Sequence, residues 1–152
     1  MATAVFVDST TILYTQDRRY PAKQERATRW LRNLLSSQRI TLSLQVLNEV
    51  YSVASRKPDF AHWRPTLRPF IQDSLVWTTL PLDAGAIGEA WTLEDRYRIS
   101  FWDLMILVSA NRAGCTYFLS EDLSDGQLYS AVRAINPFRH TPEDVLGPAA
   151  RL

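Results

Sequence analysis

The sequence predicts an α/β fold: a three-layer α/β/α sandwich built on a central parallel five-stranded sheet. Short apolar, β-rich runs recur five times between segments with helical spacing. Strands separated by helices pair in parallel through right-handed crossovers. The first run, Ala4-Val5-Phe6-Val7, is followed at once by Asp8-Ser9-Thr10-Thr11. A carboxylate and three hydroxyls at the end of a buried strand stand where parallel α/β sheets bind their ligands.

After that strand, Ser9 to about Gln16 reads as a short helix capped by Asp8 and the hydroxyls, and Tyr20-Pro21 breaks it. A second helix over 22–38 places Ala27, Leu31, Leu34 and Leu35 on one face, with Trp30 beside them. Ile40 to Leu42 is the second strand. Ser43 caps a helix to about Lys57 whose apolar face is Leu44, Leu47, Val50, Tyr51 and Ala54. The break at Lys57-Pro58-Asp59 leads into a helix over 61–72 that accepts Pro65 in its first turns and ends or kinks at Pro69.

Residues 75–80 alternate, include β-branched side chains and read as the third strand. A helix from Asp83 to about Tyr97 follows, then a strongly apolar one capped by Ser100 and ending near Ala113-Gly114. Residues 115–119 are the fourth strand, Ser120 to Gly126 an acidic turn, and 131–135 the fifth strand. Asn136-Pro137 opens a loose tail. No repeat, low-complexity segment or long linker divides the chain, so residues 1–152 are expected to form a single domain.

The chain carries 46% hydrophobic and 22% charged residues with a net charge of +1, an ordinary balance for a globular protein. No run approaches the ~18 apolar residues of a membrane span, and Asp8 interrupts the only apolar stretch near the start. A cytoplasmic protein with no membrane partner is the expectation. One cysteine, Cys115, excludes an internal disulfide and a cysteine-based metal site. Charge is unevenly placed, +5 over residues 1–76 and −4 over 77–152, and all basic residues but Lys23 and Lys57 are arginine. That bias suits RNA and protein interfaces alike, and a GC-rich genome explains it equally well.

Four acidic positions fall where this topology brings segments together: Asp8 after the first strand, Glu49 at the edge of a buried helix face, Asp103 in the first turn after Ser100, and Asp122 in the turn after the fourth strand. Each has a plain structural explanation. Asp8 is a good helix cap, Glu49 a solvated helix residue, Ser100-x-x-Asp103 a capping pattern, and Asp122 to Gly126 ordinary turn chemistry. With the first and fourth strands adjacent at the topological switch point, Asp8 and Asp122 would face each other.

The segments Val5-Phe6-Val7-Asp8-Ser9, Leu47-Asn48-Glu49-Val50, Ser100-Phe101-Trp102-Asp103-Leu104-Met105-Ile106 and Leu119-Ser120-Glu121-Asp122-Leu123-Ser124-Asp125-Gly126-Gln127 resemble the PIN domain. Within it they resemble the small VapC-type toxins of toxin–antitoxin pairs. Ile135-Asn136-Pro137-Phe138 also fits, so the resemblance spans essentially the whole chain in order. It assigns Asp8, Glu49, Asp103 and Asp122 to the family's acidic cluster. Thr10 departs from the asparagine many members carry, and Glu121 and Asp125 compete with Asp122 for the fourth acidic place.

The resemblance implies an endoribonuclease that hydrolyses RNA phosphodiesters with Mg²⁺ or Mn²⁺. The expected metal ligands are Asp8, Asp103 and Asp122, with Glu49 direct or through water, and Ser9, Thr10, Ser120 and Asp125 as supporting hydrogen-bond partners. A hard cation taking oxygen ligands suits carboxylates, which otherwise raise one another's pKa. No histidine is needed, and His62 and His140 are expected on the surface. Arg18, Arg19, Arg26, Arg29, Arg96 and Arg98 are candidates for substrate phosphates. Family membership also implies a cognate antitoxin and a homodimer. Two rivals stand beside this reading: a non-catalytic PIN-like domain binding RNA or protein, and a haloacid dehalogenase-type phosphatase. The latter wants a downstream lysine, and none follows Lys57.

Overall fold

Residues 3–148 are described by the structure, a computed structural model. Strand β1 (Val5–Val7) buries all three side chains completely, as a strand covered on both faces must. It is joined by β2 (Ile40–Thr41), β3 (Tyr117–Leu119), β4 (Leu128–Tyr129) and β5 (Val132–Ile135) in the order β2-β1-β3-β5-β4. Val7 lies opposite Leu119, and Leu119 opposite Ile135, in parallel register. Phe6 and Phe118 stack across this seam with centroids 5.2 Å apart. From β1 the chain goes to β2 on one side and returns to β3 on the other, so the β1–β3 boundary is the switch point of the sheet.

Helices flank the sheet and complete the α/β/α sandwich. They are α1 (Ser9–Tyr14), α2 (Pro21–Ser36), α3 (Leu44–Ala54), α4 (Arg64–Ser74), α5 (Gly85–Glu94), α6 (Phe101–Arg112) and α7 (Pro142–Leu146). Side chains cap α1, α3 and α6 at Asp8, Ser43 and Ser100, the residues the sequence marks. On α2, Trp30 joins Ala27, Leu31 and Leu34 in the core, while Leu35 is exposed. Among the described residues, no helix is long and apolar enough to cross a membrane.

The structure corrects four expectations. Residues 75–80 do not form the third strand. Leu75–Trp77 is a short 3-10 turn continuing α4, and one parallel bridge, Leu42 to Thr78, follows it. Val76 and Leu80 are 76% and 89% exposed and meet no core, while Trp77 between them packs against it. The five-stranded sheet is mixed, because β4 pairs antiparallel with β5. That hairpin turns through Ser130 at φ 60°, a left-handed conformation for which serine is no signal.

Pro69 sits inside α4 without ending it, on an exposed face where one lost backbone bond is solvated. The tail is ordered over α7, where Thr141 and Asp144 form a reciprocal capping box.

Candidate active site

Asp8 follows β1 directly and is 7% exposed. Its backbone N–H reaches the Leu119 carbonyl at 3.4 Å, which holds the end of β1 against the end of β3. Its Oδ1 accepts the Thr11 N–H at 2.9 Å and so caps α1. Burial pushes the Asp8 carboxyl up from 3.8 to about 7, against hydrogen bonds from Thr11 and from the Ser120 hydroxyl. The charge of Asp122 adds to the rise.

Asp122 stands in the turn after β3, its N–H donated to Ser120 Oγ at 3.1 Å. Partial burial raises its pKa, followed by the charges of Glu121 and Asp103. Asp103 lies in the first turn of α6, its N–H bound to the Ser100 hydroxyl at 3.2 Å. Charge thus acts between Asp8 and Asp122 and between Asp122 and Asp103.

Glu49 enters from α3. Its Oε2 accepts the Ser9 hydroxyl at 2.8 Å, and its Oε1 is 3.4 Å from the Gln45 amide. Thus the hydroxyl immediately after Asp8 orients the fourth acid. Thr10 is half-buried on the same first turn of α1.

Lys23 is a neighbour the sequence did not flag. From the first turn of α2 its Nζ reaches Glu121 Oε2 at 2.8 Å and the Tyr14 hydroxyl at 3.3 Å. It lies 4.8 Å from the Tyr14 ring centroid and 5.0 Å from that of Phe138. Its charge lowers the Asp122 pKa against the acids that raise it. Being one of only two lysines was its sole mark in the sequence.

Asp125 spends both oxygens on the C-terminal segment, accepting the Asn136 N–H at 2.8 Å and meeting His140 Nε2 at 2.7 Å. Burial pushes its carboxyl up, but these two bonds and the His140 charge outweigh that and hold it below the usual range. The His140 side chain stays 38% exposed, as a surface residue's does, although tied to Asp125. His62 is not the surface residue expected: it is half-buried, with an Nε2 sealed from solvent and without a partner. Of the arginines expected near substrate, Arg19 is held by Asp17 at 2.9 Å and Arg29 by Glu143 at 2.8 Å.

The family model of the PIN domain matches residues 5–124. The chain belongs to the PIN-domain family. Among solved structures, a chain from the structure of FitAB bound to an IR36 DNA fragment superposes with a TM-score of 0.65. The identity is 17%, over 88% of this chain and 95% of that one, which makes the likeness one of fold. No curated protein matches the chain.

In this PIN domain, no group of three His, Cys, Asp or Glu side chains among the described residues is assembled so as to hold a metal ion. The donor chemistry nonetheless fits a hard cation. Asp8, Asp103 and Asp122 offer carboxylate oxygens, with neither imidazole nor thiolate among them. A buried Asp8 pushed up to about 7 lacks a compensating positive charge, and a divalent ion supplies one.

Proposed function

We propose that this PIN domain is a metal-dependent endoribonuclease, the toxin of a VapC-type toxin–antitoxin pair. The observation that carries the reading is Asp8. It is a carboxyl sealed at the sheet's switch point, with Asp122 and Asp103 beyond it and Glu49 tied to the adjoining hydroxyl. Such an arrangement is costly as structure alone, since a solvated or neutral cap would serve α1 equally well.

In this reading Asp8, Asp103 and Asp122 hold Mg²⁺ or Mn²⁺, with Glu49 direct or through water. When bound, the ion supplies charge neutralisation and Lewis-acid polarisation to a scissile RNA phosphodiester. The chain's own residues prepare the place. Thr11 and Ser120 fix the Asp8 carboxyl, Ser9 aims Glu49, and Ser120 also shapes the Asp122 turn. Lys23 engages Glu121 in an ion pair, while Asp122 is the acid of that turn whose charge acts on Asp8. Hydrolysis by water attack leaves a 5′-phosphate and a 3′-hydroxyl.

The FitAB structure contains an assembly on DNA. A comparable pairing with a cognate antitoxin, on a homodimeric toxin, is what we propose here. The test is cleavage of purified tRNAs and rRNA by the isolated protein with Mg²⁺, Mn²⁺ or EDTA, beside Asp8→Asn and Asp103→Asn. Discrete metal-dependent products with 5′-phosphates, absent from both variants, support the nuclease. Metal-loaded, folded protein that cuts nothing overturns it in favour of a non-catalytic binding domain.

A further inference from the structure

Beside the acidic cluster, a groove of about 660 Å³ runs between α3 and the start of α6, lined by Gln45, Asn48, Glu49, Ser52 and Trp102. Its two walls differ in kind. On α6, Trp102 is 69% exposed in a helix that is otherwise largely buried, with Phe101 set edge-to-face against it at 6.1 Å. An indole left in water forgoes the stabilisation that burial of so large a side chain brings. On α3, the wall is two amides and a hydroxyl, which supply both donors and acceptors.

On the α3 wall, Glu49 is tied through Ser9 to the Asp8 turn. One turn beyond Ser52, Arg56 donates from Nε to the Ser52 carbonyl at 2.7 Å and from Nη2 to Ser52 Oγ at 3.3 Å. These bonds fix an exposed guanidinium in place while leaving donors free, the arrangement that suits phosphate.

We infer that this groove is a subsite for one unpaired nucleobase of the RNA strand, stacked on Trp102. The amides of Asn48 and Gln45 meet the base edge, and Arg56 takes a backbone phosphate. The inference rests on the nuclease reading and names how that same site grips its substrate. An unpaired base has the two features the walls complement, a π-face and an edge of donors and acceptors. An apolar protein segment would cover the ring but leave the exposed Asn48 amide without a partner, which is unfavourable. Glu49 is shared, so a base held here lies next to the carboxylates expected to act on its phosphodiester.

The experiment measures binding of a labelled, unstructured RNA of about eight nucleotides to the full protein in EDTA, which separates binding from turnover. Trp102→Ala is expected to weaken binding roughly five- to hundredfold, with Trp102→Phe within a few-fold of the parent. An RNA with one abasic position should bind the parent protein as weakly as intact RNA binds Trp102→Ala. That variant should not respond to the abasic change.

Unchanged RNA affinity in Trp102→Ala, with metal-dependent cleavage intact, overturns the subsite and leaves the nuclease standing. A parent protein that neither binds nor cuts RNA overturns both. A shift in oligomeric state on Trp102→Ala, at unchanged RNA affinity, also overturns the subsite and makes Trp102 a protein contact.

Discussion

Lys23 and Glu121, 98 residues apart, meet at 2.8 Å between the rings of Tyr14 and Phe138. The pair joins the start of α2 to the turn that carries Asp122, and its positive end is the nearest balance to the acids beside it. Replacing Lys23 by methionine should cost about 1–2 kcal/mol, the sum of a half-exposed ion pair and two cation–π contacts. It should also raise the Asp122 pKa, because Lys23 lowers it. Carboxyl NMR titration of parent and variant reads the direction; an unmoved Asp122 would separate the ion pair from the site.

Stability should depend on pH through Asp8. Its folded pKa of about 7 stands above the ordinary 3.8, so the folded state binds the extra proton. The stabilisation is full below about pH 4 and is lost as pH rises through about 7. The difference is worth on the order of 4 kcal/mol. Asp122, also raised, acts in the same direction. In EDTA, Tm should therefore fall between pH 5 and pH 8 for the parent and change much less for Asp8→Asn. Mg²⁺ should restore Tm at pH 8 in the parent and not in the variant; equal slopes for both proteins would remove Asp8 as the cause.

Ser9→Ala should release Glu49 without unfolding α1, since the Asp8 cap remains. Loss of such an orienting hydroxyl typically costs ~10–100-fold in metal affinity or activity. The Mg²⁺ dependence of RNA cleavage should shift to higher concentration, and Ser9→Thr should recover most of it. An unchanged metal dependence would show that the bond is structural only.

Trp30 ties the C-terminal segment to α2. Fully buried, it donates its indole N–H to the carbonyls of Pro137 at 3.0 Å and His140 at 2.9 Å. Trp30→Phe removes that donor and leaves a void, at a cost of about 2–4 kcal/mol. Urea unfolding measures it. Faster amide exchange from Asn136 onward should accompany the loss, because Asp125 and His140 brace the same segment.

Much of the fold could be read from local chemistry. The apolar run ending at Asp8, the serines at 43 and 100, and the Ser120-x-Asp122 turn mark element ends through bonds made within three residues. Residues 75–80 misled because alternation signals a half-buried strand only where a core waits beneath it, and Val76 and Leu80 have none. Strand β4 was missed because two residues and a serine at positive φ carry no pattern. The tail was missed although its Thr141–Asp144 box is local; five residues are too few for a period to show.

By itself, then, the sequence determined the α/β class and the caps, because short-range hydrogen bonding and hydrophobic period are written in neighbouring residues. Only the tertiary structure decided what each acid feels. The burial that lifts Asp8, the Ser9 bond that aims Glu49 across 40 residues and the Lys23 clamp on Glu121 all depend on which elements become neighbours. Those are properties of solvent exclusion and long-range proximity, and both arise when β1 is placed between β2 and β3.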